Sequence, residues 1–563
     1  MDQELLNRRA EDVLARGTKM LADRGMLLDL WQEIADNFYP ERGDFTYSRS
    51  LGSEFAAHLM DSFPVLVRRD LGNAITTMLR PRDRDWGEMS VLFDDNLDLI
   101  SKQWLDWAWQ RQRRAMYQPE SQFTKATKEA DHDFASFGQA VIRVQMNGGY
   151  TGLQFQTQHL RDCAWCENEE QVIDQVFVRR QPFARDLLNK YGEDRLHPKV
   201  IEMATQNGGR SAYERVPIIH IVVPYSQYDM SDLMMFRRTP LPYVSLYIDV
   251  NNRHVIEAVP SHTLQYVIPR WQTVSGSQYA YSPATIVGLP DARLIQAVTL
   301  TLLEAGEQYV RPPLIATEEV VRSDMQIYSG GVTWIDADYD ERLGQALRPL
   351  TQDKSGMPVG FEMSDRQKEQ LKEVFYLNQI RMPPIAKEAT AYEVSQMVQE
   401  YIRNAMPLFE PMEYEYNGAL CEEVFSQLFH AGAFGSPLDV PPQLQSRDID
   451  FKFRSPLHDA DGRQVGQKFL QTINMAAPIM QVEPGILSHV DIHQAFRDAV
   501  EGLDIPMQWM RPEKEAMQAI DQAHQAQAMQ QVAQTGGGLA EAVKTVGQAG
   551  QELSKANAAA AGA

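Results

Sequence analysis

The chain has 563 residues, more than one hydrophobic core usually organises, so we expect several domains. Its composition is globular, with 44% hydrophobic and 23% charged residues, and its net charge of −22 argues against a protein that grips nucleic acid through stripes of Lys and Arg. No apolar run approaches the ~20 residues of a membrane helix, and the first residues have no signal-peptide core, so we expect a soluble protein that is not exported.

The first half of the chain predicts an α+β body with antiparallel sheet. Apolar residues at helical spacing predict helices over 2–38, 55–79 (interrupted at Pro64) and 92–117. Beyond Gly138 the apolar residues alternate instead, and Asn147-Gly-Gly is typical of a hairpin turn. This alternation predicts strands at 141–145, 153–157, 171–180, 216–223, 243–250, 254–258 and 264–270, with short helices at about 182–191 and 197–206.

Cys163 and Cys166 form a C-x-x-C pair, with His159 four residues upstream. A zinc site would need a second pair of ligands of this kind, and Cys421 is the only other cysteine in the chain. We therefore favour two half-buried thiols on strands over a metal site.

Two long helices flank a small module in the middle of the chain. A helix is predicted from Pro290, with Asp291 as its cap, to Val310, because Pro312-Pro313 follows. A second helix is expected from Ser364 to about Arg381. Between the two helices, short strands are predicted at 313–316, 332–336 and 347–351. Helices that carry such an excursion would most simply run antiparallel.

A proline-containing loop over 381–389 then leads into another helix. Thr390 and Glu393 form a capping box at its start, and Pro407 and Pro411 should kink or break it. Helix resumes over 413–432, a strand is predicted at 448–453, and the remainder reads as helical. The sequence becomes rich in Gln, Ala and Met from residue 513 onward. The last ~25 residues have a composition typical of flexible termini.

No catalytic motif is present in the sequence. A nucleotide-binding P-loop, a dinucleotide fingerprint, a zinc-protease motif and a nucleophile elbow are all missing. Asp336-Ala-Asp-Tyr-Asp-Glu341 opens like a calcium loop but has Glu341 where the sharp turn requires glycine. We therefore predict no catalytic residues, no metal, no cofactor and no enzymatic activity, so a partner must drive any DNA movement.

Several motifs resemble, in sequence and in order, the portal or head-to-tail connector family of short-tailed, podovirus-type phages. They are Ile268-Pro-Arg-Trp271, Tyr281-Ser-Pro283 and Thr390-Ala-Tyr-Glu-Val-Ser395, followed by Ser455-Pro-Leu457, Pro478, Asp491, Phe496-Arg497, Pro506 and Arg511-Pro-Glu513. The resemblance covers about residues 20 to 525. One departure is Tyr279-Ala-Tyr-Ser282, where the family has a glycine before Ser-Pro.

The resemblance implies an α+β, mainly helical portal-type fold with named parts. The wing would comprise 1–282 and 391–454, and the crown 455–530. Stem helices at 283–312 and 363–381 would flank a small α/β clip at 313–362, with a tunnel loop at 382–390. The last part, 531–563, would be a flexible low-complexity tail.

The resemblance also implies a function, with its partners and location. The family forms a ring of twelve at one capsid vertex, the head–tail junction of the virion, and assembles in the host cytoplasm. Double-stranded DNA would pass through the ring during packaging and ejection. Partners would be the terminase large subunit, tail adaptor or nozzle proteins, capsid and scaffold proteins and candidate internal core proteins, but no membrane. The alternative is an internal virion or scaffold-like protein without an open channel.

Candidate functional residues fall into three groups under this interpretation. Lys368 and Lys372 would line the channel stem, unless they belong to an ordinary salt-bridged helix surface. The loop residues that would face DNA are Arg381, Met382, Pro383, Pro384 and Lys387, unless the loop is a simple connector. The acidic clip residues would form a partner surface or a solvated face. These are Glu318, Glu319, Asp324, Asp336, Asp338, Asp340 and Glu341.

Overall fold

The computed structural model describes most of the first 453 residues. The described ranges are 3–50, 52–82, 84–92, 97–147, 152–205, 210–228, 241–310, 314–316, 347–349, 356–380, 411–436, 439–445, 447–453 and 495–496, with single positions between 397 and 409. The predicted fold class, α+β and mainly helical, is confirmed. The predictions for 332–336, for the tunnel loop, for the crown and for the tail lie outside these residues.

The chain divides into two units. The first comprises Met1–Ser90, Ala108–Asp439 and Ile449–Ala460, and the second comprises Val91–Trp107, Val440–Asp448 and Asp461–Ala563. Within the second unit, the backbone N–H of Asp98 donates to the side chain of Gln443 at 3.1 Å. Apart from Val91 and residues 99–107, the helices and strands below belong to the first unit.

Five helices of ordinary length come early in the chain. They are α1 (Gln3–Ala22), α2 (Gly25–Phe38), α3 (Phe63–Leu79), α4 (Leu99–Met116) and α5 (Phe123–Phe137). The single helix predicted over 2–38 is therefore two helices. Arg24 lies between them, only 4% exposed, and its guanidinium donates to the carbonyls of Leu160 and Arg161 at 2.9 and 2.7 Å. This distant contact explains a break that the local sequence does not signal.

One further prediction for this region was wrong, and two elements were not predicted. Residues 55–62 are not helical, because Pro64 lies in the first turn of α3, where its missing N–H has no cost, and marks the start of that helix. Strand β1 (Gly87–Val91) and helix α5 were not predicted. The residues that flank α5, Gln122 and Gly138, have left-handed backbone conformations, and most side chains of α5 are buried.

The main sheet of the body has five antiparallel strands in the order β4-β5-β6-β7-β8. A smaller sheet has the order β3-β2-β9, so the predicted antiparallel pairing is present. The strands are β2 (Val141–Met146), β3 (Leu153–Gln158), β4 (Cys163–Glu167), β5 (Ile173–Arg180), β6 (Ile218–Pro224), β7 (Tyr243–Asp249), β8 (His254–Ser261) and β9 (Tyr266–Val267). The strands predicted at 171–180 and 264–270 are thus shorter. The range of β4 was not predicted, although its two cysteines were expected on strands.

Helices cover both faces of the five-stranded sheet. On one face, Phe177, Ile221 and Leu246 form a core with α1. On the other, Ile218 and Tyr247 pack with α6 (Ala184–Tyr191) and α7 (Pro198–Thr205). Because side chains alternate along a strand, β6, β7 and β8 supply residues to both cores.

Both cysteines of the C-x-x-C pair lie on β4, and Cys163 is buried. Residues three apart on a strand point to opposite faces, so the two thiols cannot hold one ion between them. Burial raises the pKa of both thiols. Among the described residues no cluster of His, Cys, Asp and Glu could hold a metal.

The second half continues with a π-helix, Ala284–Gly288, that runs into α8 (Leu289–Val310). The following elements are β10 (Leu314–Ala316), β11 (Leu347–Pro349), α9 (Gly356–Val374) and α10 (Leu377–Ile380). A second π-helix, Glu413–Gly418, comes just after Pro411 and leads into α11 (Ala419–His430). Strand β12 (Ile449–Phe453) pairs with β1.

Candidate functional site: a paired-helix shaft

Helices α8 and α9 pack against each other, and we call the pair the shaft. Gly288 lies next to Phe375 at one end, and Gly360 lies next to Leu302 farther along. Residue number rises along α8 as it falls along α9, so the predicted antiparallel arrangement is confirmed. The 22 residues of α8 give the shaft a length of about 33 Å. Strands β10 and β11 pair antiparallel beyond the end of α8.

The second shaft helix begins earlier than predicted. It starts at Gly356, not Ser364, and Pro358 lies within its first turn, a position that tolerates the missing N–H. Ser364 is only 6% exposed, inside the helix. The helix ends before Tyr376, whose φ of 56° is left-handed. Tyr376 stacks on Trp271 with ring centroids 6.2 Å apart.

Ser282, not Asp291, caps the first shaft helix. The N–H of Thr285 donates to Ser282 Oγ at 3.1 Å, and Pro283 takes the first helical position. Ser282 Oγ also donates to the carbonyl of Ser136, at 2.7 Å, at the end of α5. The Ser-Pro motif therefore both starts the shaft and attaches it to the body.

A glycine on the facing segment makes this attachment close. At Gly138, a Cβ would lie 2.5 Å from the carbonyl carbon of Tyr281 and 2.7 Å from the nitrogen of Ser282. Tyr279, near where the family has its glycine, packs its ring 4.6 Å from that of Trp165 and 6.0 Å from that of Trp31. The missing side chain at Gly138 thus provides the space for the turn at Tyr281 and Ser282.

Aromatic and aliphatic side chains fill the base of the shaft. Phe375 is fully buried, and its ring centroid is 5.3 Å from that of Phe38 on α2. Leu371 from α9 and Ile295 from α8 are also fully buried. Burying side chains of this size contributes roughly 1.5–3 kcal/mol each, so the base is firmly fixed to the body.

Residues 60–63, which we call the strap, contact both shaft helices. Gln296 on α8 accepts from the N–H groups of Met60 and Asp61 and donates to the Asp61 carbonyl. Lys368 on α9 pairs with the Asp61 carboxylate at 2.8 Å. No local pattern could have revealed the strap, because its partners are more than 230 residues away in sequence.

Both lysines proposed for the channel stem make ion pairs within the chain. Lys368 contacts Asp61, and Lys372 lies 2.5 Å from Glu369, one turn earlier. Each ammonium also lies over the ring of Phe63, at 5.7 and 5.8 Å. The Lys368–Asp61 pair and the contacts with Phe63 bind α9 to the strap, whereas the Lys372–Glu369 pair lies within α9.

The remaining candidate residues lie outside the described part of the chain. In the loop they are Arg381, Met382, Pro383, Pro384 and Lys387. In the module they are Glu318, Glu319, Asp324, Asp336, Asp338, Asp340 and Glu341.

The shaft exposes much apolar surface. Ala284–Val310 is long and apolar enough to cross a membrane, so the expectation that no segment reaches that length was wrong. One such helix is weak evidence for a membrane protein. Only 22% of its most apolar window is buried within the chain. The exposed apolar side chains are Leu300, Leu303, Tyr309 and Val310 on α8, and Val359, Phe361 and Met363 on α9.

Comparison with known proteins identifies the family. No curated protein matches the sequence. The family model described as bacteriophage head to tail connecting protein matches residues 10–510, which is most of the chain. This match confirms the resemblance drawn from the Ser-Pro, capping-box and C-terminal motifs. The chain belongs to the bacteriophage head to tail connecting protein family.

Proposed function

We propose that this connector protein assembles into a ring whose shafts stand side by side around a channel for double-stranded DNA. Its family is one of structural phage proteins at the head–tail junction of the virion, with capsid and tail components as partners. The open channel, and the passage of DNA during packaging and ejection, are the proposed part.

The proposal rests on one observation: among the residues that the structure describes, the shaft leaves many apolar side chains exposed. Side chains such as Leu303 (56% exposed) and Phe361 (55% exposed) would lie in water in a lone subunit. Contiguous apolar surface of this kind usually marks an interface. The shaft of the next copy is a suitable cover, because a head-to-tail contact repeated around an axis closes into a ring.

The channel wall would be mostly acidic. Each chain carries a net charge of −22, and both stem lysines already have carboxylate partners. Duplex DNA carries one negative charge per ~1.7 Å, so a wall of like charge would guide it without holding it. We propose that Arg381 and Lys387, in the loop with Met382, Pro383 and Pro384, supply a few points of positive contact.

The finer assignments extend this proposal. A ring of twelve, docking of the terminase large subunit and then of tail adaptors on the acidic module, and a helical crown all follow from the family resemblance. The acidic module would meet basic patches on these partners.

Imaging and mass measurement of the purified protein test the ring. We expect closed rings with a central hole in negative-stain images and one discrete high mass by mass photometry. Leu303→Glu should reduce the particles to single chains, because it places charges in a desolvated contact between copies. Met26→Glu is the matched control, because Met26 is 89% exposed on α2, and it should leave the rings intact.

Two outcomes would contradict this proposal, the first against the channel and the second against the contact between shafts. Elongated or polydisperse particles without a hole would support the internal virion or scaffold-like protein instead. Rings that survive Leu303→Glu unchanged would show that the shafts do not form the contact between copies.

A further inference from the structure

A cavity of about 1110 Å³ lies in the body, and none of its lining residues belongs to the shaft or the strap. Its lining includes a polar face of β2 and β3, where Arg143, Gln145, Gln154 and Gln156 alternate with apolar residues such as Val144 and Phe155. Gln145 donates to Gln154 at 2.8 Å across the two strands. The polar face of these two strands therefore lines a cavity that is open to solvent on one side.

Cations without carboxylate partners line this cavity. In the part of the chain that the structure describes, none of the five forms an ion pair, although the whole chain is strongly acidic. They are Arg143, Arg179, Arg180, Lys190 and Arg215.

The carboxylates of the lining have other partners. Asp44 pairs with Arg161 at 2.9 Å and lies 2.6 Å from His159. Glu257 pairs with Arg195 at 2.8 Å. Asp162 and Asp186 also pair with arginines, Arg161 and Arg185, at 3.4 and 3.2 Å. Glu257 attracts Lys190 as well, but the lining has more cations than carboxylates and keeps a positive potential.

Arg143 forms the innermost part of the cluster. It is only 3% exposed, and its Nε has no hydrogen-bond partner. Its guanidinium donates to the hydroxyl of Tyr247, whose ring stacks on His220 at 4.1 Å. The ammonium of Lys190 lies 5.1 Å from the same ring. Burying a charge without a counter-ion is costly, so an anion bound beside Arg143 would stabilise the site.

The same positive potential affects the pKa of His220. Burial lowers its pKa well below the ordinary value, and Arg143, Arg180 and Lys190 lower it further. Its two ring nitrogens bond to Tyr266 and Ser245. The neutral imidazole adds no negative charge to balance the cations.

We propose that this cavity binds an extended acidic peptide segment. Its carboxylates would pair with Arg143, Arg180 and Lys190, and the glutamine amides of β2 and β3 would bond its main chain. An amide both donates and accepts hydrogen bonds, as a peptide group does, whereas phosphate oxygens at neutral pH mainly accept. The cavity also has far more room than one phosphate needs. This site does not depend on ring formation.

Binding of a labelled acidic peptide to the full chain tests the proposal. The probe is a fluorescein-labelled octaglutamate, followed by fluorescence anisotropy at low salt. We expect Arg180→Ala combined with Lys190→Ala to weaken binding by about tenfold, since two charge pairs are lost. Lys199→Ala, an exposed lysine on α7 outside the cavity, is the matched control and should bind as the unchanged protein does. An octaglutamine peptide should not bind.

Each contrary result overturns the proposal. These are absence of octaglutamate binding, equal affinity in the double variant, or an equal loss in Lys199→Ala. Displacement of the peptide by inorganic tripolyphosphate at an equal or lower concentration would assign the site to phosphate instead. Lys190 is exposed, so Lys190→Ala alone gives the answer if the double variant does not fold.

Discussion

Among single side chains, a buried ionic network connects the π-helix Glu413–Gly418 to the body. Arg80 contacts the carboxylate of Asp131 on α5, and both are almost fully buried. Arg80 also donates to Asn417 at 2.7 Å, and the hydroxyl of Tyr416 donates to Asp131 at 2.7 Å. Tyr416 and Asn417 belong to the π-helix Glu413–Gly418, so the network fixes its position on α3 and α5.

Removing the carboxylate of this network should be strongly destabilising. Asp131→Ala leaves Arg80 charged and unpaired in the interior, so we expect the free energy of unfolding to fall by about 3–5 kcal/mol. Urea unfolding measures this change. Glu11→Ala removes an exposed ion pair with Arg253 and should cost less than about 1 kcal/mol. Similar losses in the two variants would contradict the prediction.

Glu423 gives the protein a pH-dependent stability. It is buried on α11, and burial raises the pKa of its carboxyl from 4.5 to about 7, although hydrogen bonds from Gln427 and Thr263 oppose the rise. The folded state therefore binds more protons than the unfolded state between these two values. This contribution to stability is complete below the unfolded pKa and is lost as pH rises through about 7.

Glu423→Gln should remove this dependence. A neutral amide of the same shape has no proton to lose, so the variant should match the unchanged protein near pH 5. At pH 8 we expect it to be more stable by up to about 3 kcal/mol. Melting temperatures across this range, with exposed Glu193→Gln as control, measure the difference. Parallel pH profiles for the unchanged protein and Glu423→Gln would refute it.

Among helices and strands, those with a local period were predictable and those defined by distant contacts were not. The alternating strands β2, β3, β6 and β7 and the helix α8 follow from apolar spacing alone. Helix α5 was missed because polar residues occupy several of its buried positions and interrupt the apolar spacing. They are Thr127, Asp131, Asp133 and Ser136. Strand β1 was missed because it pairs with β12, more than 350 residues later.

The candidate sites divide in the same way. The shaft was predictable, because two long helices on either side of a small module have a local signature. The strap and the cation cavity were not, because a lysine on α9 cannot be assigned to Asp61, nor Arg143 to Tyr247, from sequence spacing. The alternating Gln and Arg residues of β2 and β3, which line the cavity, indicated only strands with one polar face.

The attachment of the shaft to the body gives a sharp test. Gly138 is left-handed (φ of 76°), and a Cβ there would meet the backbone of Tyr281 at 2.5 Å. Gly138→Ala should therefore cost about 1 kcal/mol for the conformation and about 1–3 kcal/mol more for the contact. Gly432 has a similar φ of 74° and open space around it, so Gly432→Ala measures the conformational cost alone. Equal losses of unfolding free energy in the two alanine variants would disprove close packing at the shaft base.

In the whole molecule, some positive charges are paired with carboxylates and others line the cavity. Arg80, Lys368 and Lys372 pair with carboxylates, and the cations of the cavity surround a polar space in the body. The first group holds the fold together, and the second belongs to the proposed peptide site. Contact with DNA is therefore assigned, in our proposal, to Arg381 and Lys387 of the loop.

Reversing the charge of the loop tests that assignment in the assembled particle. Lys387→Glu, repeated around the ring, replaces a circle of positive charge with a negative one facing the phosphates. We expect rings to form normally while the yield of packaged genomes falls several-fold, because attraction to the phosphates becomes repulsion. Lys199→Glu makes the same change on α7 of the body and should leave packaging unaltered. An undiminished genome yield in Lys387→Glu would remove the loop from the DNA path, whereas loss of the rings would make Lys387 an assembly residue.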